Sequence, residues 1–298
     1  MPLVPFRDLM ANAAAGGYAV GYFESWNLES LLAVADAAEA QHSPVILGFS
    51  GIYLPHPHRR VTDRLAPYAA MALAVCDGLT VPACLLFNES PNERWISDAI
   101  DAGFNLVMFS DDSRGTDANV EIIRRLGARA HASGAAIEGE ATALAGVGGD
   151  LASDAANDRR LTDPAEGLTF VEKTGIDAFA VNVGQVHLHG RRTVRLDLER
   201  LKALASIPVP LVLHGASSVD ADDLRAAIGL GIRKVNVGSR LKQAYFSALR
   251  SAAVAADASN PYETIGSGLD RDVLVPGRLA MQSEVERLMQ LFGSSGKG

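Results

Sequence analysis

The stretch Pro208-Val209-Pro210-Leu211-Val212-Leu213-His214-Gly215-Ala216-Ser217-Ser218 decides the reading of this chain. Leu211, Val212 and Leu213 form a short apolar run set between prolines and a glycine. Such a run predicts a strand covered on both faces, as in a parallel sheet. It stops at His214 and opens into small residues, so an imidazole stands at a strand end beside a possible anion cradle. In a barrel of parallel strands, that end carries the active site. Alone, a His-Gly pair is more often a buried histidine followed by a turn, so the rest of the chain has to support the stronger reading.

Outward from this stretch, a short apolar strand followed by a helix recurs eight times. The expected strands are 19–23, 44–49, 82–87, 106–109, 135–140, 178–183, 211–213 and 234–237. The helices expected after them are 28–40, 62–76, 93–101, 119–131, 164–174, 198–205, 222–230 and 240–255. A helix at 5–14 precedes the set and one at 277–291 closes it. Asn27 and Asp163 are expected N-caps, with Pro164 at the first helical position. Short strands alternating with longer helices call for βαβ units and a parallel sheet. Eight units predict a closed (β/α)8 TIM barrel, α/β in class. It is expected to form a single domain over residues 1–298, with the N-terminal helix and a C-terminal helical extension. An open doubly wound sheet ranks second, because Gly16-Gly17 precedes a strand and no dinucleotide fingerprint follows one. The long connections 51–60 and 141–163 both follow strands, so they are expected over the catalytic face as lids.

The composition narrows the class of function. Of 298 residues, 48% are hydrophobic, enough for one large core, and the net charge is -8. That charge argues against nucleic acid or a membrane surface as partner. The two cysteines, Cys76 and Cys84, have no metal-type spacing and are too few for a disulfide framework. No apolar run approaches the ~20 residues of a membrane span, and no signal peptide is expected before Pro5. The expected location is cytoplasmic.

Polar residues gather at the strand ends: Glu24, Ser50, Asn88, Glu89, Ser110, Asp111, Asp112, Glu138, Glu140, His187, His214, Asn236 and Ser239. His187 and His214, from the sixth and seventh strands, with Glu89 from the third, would give a cation two imidazoles and a carboxylate. Catalytic Zn2+ accepts such a set and keeps a position open for substrate, and Mn2+, Co2+ or Fe2+ would suit it too. Two small-residue turns, Gly215-Ala216-Ser217 and Asn236-Val237-Gly238-Ser239, precede helices and offer backbone N–H groups and hydroxyls to an anion. The turns after strands seven and eight are also the usual phosphate position of this fold. The His56-Pro57-His58-Arg59-Arg60 loop and Arg191-Arg192 could receive acidic groups, although paired arginines are more often a solvated edge.

These motifs resemble the class II, metal-dependent fructose-bisphosphate and tagatose-bisphosphate aldolases from Gly17 to about Phe246. The stretches that carry the resemblance begin at Ser43, Ala99, Thr162, Val171, Gly184, Pro210 and Lys234; two of them are Gly184-Gln185-Val186-His187 and Lys234-Val235-Asn236-Val237. The resemblance implies a homodimeric or homotetrameric barrel that cleaves ketoses by a reversible aldol reaction. A divalent metal there polarises the carbonyl and stabilises the enediolate. It implies metal binding at His187 and His214, with Glu140 near the metal as an alternative ligand. It also implies a phosphate cradle at Gly215, Ser217 and Ser239, and a ketose contact at Asn236. Glu24, Ser50, Gly184, Ala216 and Gly238 complete the expected substrate-binding set.

The third strand departs from the pattern. Members usually read His-Leu-Asp-His-Gly where this chain has Leu86-Phe87-Asn88-Glu89-Ser90. The amide of Asn88 cannot take up a proton at neutral pH, and Glu89 stands where a metal-binding histidine is usual. Glu24 replaces a usual asparagine, and Gly238 a small polar or acidic residue. The expected catalytic set is therefore Asn88, Glu89 and Glu138, with Glu89, Glu140, His187 and His214 as metal ligands. Either Glu89 is a ligand while Asp111, Asp112, Glu138 or Asp150 moves the proton, or Glu89 moves it and Glu140 completes the shell. A sugar-phosphate-binding or regulatory homologue without activity, or a metal-dependent isomerase or epimerase, would use the same scaffold.

Overall fold

The structure, a computed structural model, describes residues 3–141, 161–185, 193–257 and 259–298. Eight parallel strands close into a barrel in chain order: β1 Val20–Ser25, β2 Val45–Ser50, β3 Ala83–Ser90, β4 Leu106–Phe109, β5 Ala136–Glu140, β6 Ala178–Ala180, β7 Leu211–Leu213 and β8 Ile232–Val237. The helices are α1 Phe6–Gly16, α2 Leu28–Gln41, α3 Leu65–Asp77, α4 Glu93–Asp101, α5 Thr116–Ala132, α6 Pro164–Thr174, α7 Leu198–Leu204, α8 Ala221–Gly229, α9 Ser239–Ala255, α10 Pro261–Thr264 and α11 Leu274–Phe292. The (β/α)8 class predicted from the alternation is the class observed.

Local chemistry sets the element ends. Asn27 Oδ1 accepts from the Ser30 amide at 3.0 Å while Ser30 Oγ accepts from the Asn27 amide at 3.0 Å, a reciprocal cap that starts α2. Asp163 accepts from the amides of Ala165 and Glu166, with Pro164 at the first position of α6. The sixth strand ends at Ala180, earlier than its apolar run suggests. Past it, the Asn182 amide donates to Thr162 Oγ1 at 2.8 Å and the Val183 amide to Gln185 Oε1 at 2.9 Å, so these amides leave the ladder for side chains. A second correction concerns the turn after β7. It does not lead straight into a helix: Gly215 takes φ 65° and a 3-10 turn, Ala216–Ser218, comes before α8. The short α10 is also additional to the expected set.

Two apolar layers follow from strand alternation. Val20, Tyr22, Ile46, Cys84, Leu86, Leu106, Met108, Ala136, Ala178, Ala180 and Val212 fill the barrel interior, closed at one end by Phe6, Leu9, Met10 and Ala13 of α1. The opposite parity, including Phe23, Leu47, Leu85, Phe87, Val107, Ile137, Phe179, Leu213 and Val235, packs against the helices. The C-terminal α11 lies on this outer layer, with Phe292 stacked on Phe23 at 6.3 Å and Arg278 paired with Asp36. Both cysteines are buried free thiols, with burial pushing each pKa up to about 12.

Gly48 faces the interior at a point where β3 comes too near for a side chain, since a Cβ there would collide with the Leu86 carbonyl. Because the obstacle is backbone, Gly48→Ala is expected to destabilise the fold by about 3 kcal/mol. Chemical denaturation measures this, and a loss under about 1 kcal/mol would show that β2 and β3 can separate freely.

Candidate active site

Inward parity continues past the apolar layer into polar residues at the C-terminal strand ends. Glu24 stands two residues beyond Tyr22, Ser50 two beyond Gly48, Asn88 two beyond Leu86, His214 two beyond Val212 and Asn236 two beyond Lys234. They open onto a cavity of about 440 Å³. Of the residues expected in the site, Glu24, Ser50, Asn88, Glu89, His214, Gly215, Ser217, Asn236, Gly238 and Ser239 line it.

Glu89 breaks the parity. Strict alternation would turn it outward with Phe87, but the β3–β4 register slips between Phe87 and Ser90 and Glu89 takes φ 54°. A left-handed residue without a glycine costs ~1–2 kcal/mol, and such strain gathers at functional sites. The bulge lets neighbours Asn88 and Glu89 both reach the cavity. There, Asn88 Nδ2 donates to Glu89 Oε2 at 2.6 Å.

His214 is the hub. Its Nδ1 lies 3.0 Å from Glu89 Oε1, and its Nε2 lies 2.7 Å from Glu138 Oε1 and 3.0 Å from Asn236 Nδ2. Burial works to lower its pKa, yet the Glu89 and Glu138 carboxylates prevail and raise it to about 10. Below it, Lys234 Nζ pairs with Glu138 Oε2 at 2.8 Å, both side chains having no exposure. The same ammonium donates to Asn236 Oδ1 at 2.6 Å, which aims the amide group of Asn236 toward His214. Although burial works to raise its pKa, Glu138 is held below the usual carboxylate range by Lys234 and His214.

Other expected residues stand apart from the cavity wall. Glu138 lies beneath it, with its carboxylate committed to Lys234 and His214, so its position suits an orienting group and not the catalytic contact expected. Ala216 is buried in the 3-10 turn, and Gly184 is buried behind the β6 end, where its amide donates to Asn182 Oδ1 at 3.0 Å. Asp111 accepts from Ser113 and Arg114, and these bonds hold its pKa low despite burial. Glu140 accepts from Ser110 Oγ at 2.5 Å. Its pKa is pushed up to about 8 by burial, with Glu89 and Asp112 adding to the rise. His187, Asp150 and Arg191-Arg192 lie outside the described residues, as does most of the second expected lid.

The first long connection does reach the cavity, through Ile52, Tyr53, Leu54 and Arg59. Arg59 donates to the Tyr53 carbonyl at 3.1 Å and pairs with Asp63, which also accepts from Tyr68 OH at 3.2 Å. Its neighbours His56, His58 and Arg60 are exposed. The sequence reading missed Tyr22, Trp26, Lys234 and Lys242. Tyr22 and Lys234 were available from parity, each two residues before an expected site residue. Lys242 was available from helical spacing, one turn beyond Ser239.

The donors suit a divalent cation. The 3.0 Å contact between His214 Nδ1 and Glu89 Oε1 is a hydrogen bond, and a cation held by both would take the place of its proton, with ligands of a tetrahedral zinc roughly 3.4 Å apart. Carboxylates crowd the same place: burial, Asp111 and Glu89 raise the pKa of Asp112, and Glu140 rises with it. A bound cation would offset this negative charge and reverse those shifts. Among the described residues, no three His, Cys, Asp or Glu side chains enclose an ion by themselves.

A closed parallel barrel with an acidic, histidine-centred cavity at its strand ends is the architecture of a (β/α)8 enzyme. The chain belongs to the class II fructose-bisphosphate aldolase family, whose pattern matches residues 4–297. It is 32% identical over 319 residues to a fructose-bisphosphate aldolase of Thermus caldophilus, covering 99% of each chain. It is 31% identical to a 6-phospho-5-dehydro-2-deoxy-D-gluconate aldolase of Shouchella clausii, covering 100% of this chain and 97% of that one. The crystal structure of the YdjI aldolase from Escherichia coli K12 superposes with a TM-score of 0.79 at 27% identity, covering 99% of both chains. These similarities favour a metal-dependent aldolase over the isomerase, epimerase and non-catalytic readings. No helix among the described residues is long and apolar enough to cross a membrane.

Proposed function

We propose that this chain cleaves a phosphorylated or acidic ketose by a reversible aldol reaction at the His214 cavity. The observation that carries the reading is the convergence of His214, Glu89, Asn88 and Asn236 on one cavity in a chain of this family. His214 would hold the divalent metal with Glu89 or Glu140, joined by His187 on the strength of the resemblance. Zinc is the first choice, and Mn2+, Co2+ or Fe2+ suit the same mixed donors. When bound, the metal supplies Lewis acidity for the ketose carbonyl.

The chain's own groups position the substrate and handle its protons. Asn236 and Asn88 present amides that can hold substrate hydroxyls, and neither amide accepts a proton. A hydroxyl proton must therefore reach a carboxylate. Glu89, beside Asn88, carries it if Glu140 completes the metal shell; Asp112, whose pKa burial raises, is the nearby carrier if Glu89 is itself a ligand. The lining of Phe49, Ile52, Leu54, Trp26 and Tyr68 keeps water from much of the cavity wall. A homodimer or homotetramer in the cytoplasm belongs to the same proposal, on family grounds.

Metal analysis of the purified protein and cleavage assays test it, using fructose 1,6-bisphosphate, tagatose 1,6-bisphosphate and 6-phospho-5-dehydro-2-deoxy-D-gluconate, together with fructose 6-phosphate and tagatose 6-phosphate, whose C1 carries a free hydroxyl. Cleavage of at least one is expected to fall ~100-fold or more after chelator treatment and to return when metal is added. Protein without bound metal and without chelator-sensitive turnover would overturn the reading.

A further inference from the structure

The cavity has one end built for an anion and already supplied with one. Gly215, Ser217, Ser218, Gly238 and Ser239 rim it where α9 begins. The Arg240 amide donates to Ser217 Oγ at 3.2 Å, tying the two turns together. The start of a seventeen-residue helix points its positive pole here, which favours negative charge. Glu24, at an inward position of β1, extends its carboxylate into this place. One oxygen pairs with Lys242, a turn into α9, and the other lies against Gly238, where a Cβ would collide with it. The Glu24 side chain is only 16% exposed. Lys242 is held in turn over the rings of Trp26 at 5.6 Å and Tyr53 at 5.2 Å, so the pair is braced from both sides of the cavity.

We infer that Glu24, held by Lys242 against Gly238, is a built-in occupant of the anion position at the start of α9, so that the end of the ketose lodged there carries an uncharged hydroxyl and not a phosphate. A phosphate brought to the hydroxyls of Ser217 and Ser239 would meet a carboxylate in the same volume, with repulsion between like charges in a partly dry cavity. A hydroxyl would instead find an acceptor in Glu24 and donors around it. The inference rests on the aldolase reading of this cavity and narrows it: any charged group of the substrate belongs at another part of the wall.

The test needs no turnover. Inorganic phosphate is titrated calorimetrically into the full-length protein, comparing the wild type with Glu24→Gln, which keeps the shape, and Glu24→Ser, which empties the position. Circular dichroism checks the fold of each. Wild type is expected to show no saturable binding at millimolar phosphate, and a folded variant to bind at least ~10-fold more tightly. Saturable sub-millimolar binding by the wild type overturns the inference without any variant. So does a folded variant that binds no better than the wild type. Failure of the aldolase reading would appear elsewhere, as absent chelator-sensitive cleavage of the 6-phosphates with a free C1 hydroxyl as well as of the bisphosphates, so the two failures are distinguishable.

Discussion

Replacing Glu89 with alanine is expected to reduce cleavage by ~1,000-fold or more, because losing a group worth several kcal/mol in the transition state costs a factor of ten per 1.36 kcal/mol. The change also removes the Glu89 partner of His214 Nδ1 and the acceptor for Asn88, leaving both side chains less constrained. Metal content, measured on the same preparation, separates the two roles. A metal-binding Glu89 takes occupancy with it when lost, whereas a proton carrier leaves the metal in place while turnover disappears. Glu89→Gln sharpens the comparison, since it keeps the shape and the weak oxygen donor but cannot carry the proton. Turnover within about tenfold of wild type in both variants would remove Glu89 from the chemistry.

The second large effect is on stability. Lys234→Met is expected to destabilise the protein by about 3–5 kcal/mol, because it strands a carboxylate in a position without solvent. The measured Tm should fall by about 10 °C for a chain of this size. The reason is the geometry around Glu138: Lys234 at 2.8 Å on one oxygen and His214 at 2.7 Å on the other, with no exposure of Lys234 or Glu138. Adding Glu138→Leu to Lys234→Met should recover most of the lost stability, since a buried pair replaced by apolar groups of similar volume is often neutral. Catalytic function should not return with it, because Asn236 loses the ammonium that aims its amide and His214 loses its lower carboxylate. A loss below about 1 kcal/mol for Lys234→Met would mean that Glu138 is neutral in the folded state.

The barrel was legible along the chain because its signal is local. A strand buried on both faces is a short apolar run, a helix laid over it is an amphipathic stretch, and caps such as Asn27 and Asp163 mark the change between them. Period-two alternation then carries the inner face forward, which is why Glu24, Ser50, Asn88, His214 and Asn236 could be named together from sequence. The same rule stepped back two residues along the strand would have named Tyr22 and Lys234 as well.

Sequence alone, then, determined the order of elements, the closed parallel class and most of the rim, because each depends on residues within one strand or one helical turn of each other. Tertiary structure decided the rest. The bulge that turns Glu89 into the cavity depends on how β3 pairs with β4, and its 54° φ falls on a glutamate and not on the neighbouring Asn88, the residue type that would have signalled it. The stack of Lys234, Glu138 and His214 joins β8, β5 and β7 through the barrel interior, and Glu24 meets Lys242 across 218 residues of chain. Such contacts are set by closure of the sheet, which fixes which strand ends face one another, and no local pattern encodes that distance.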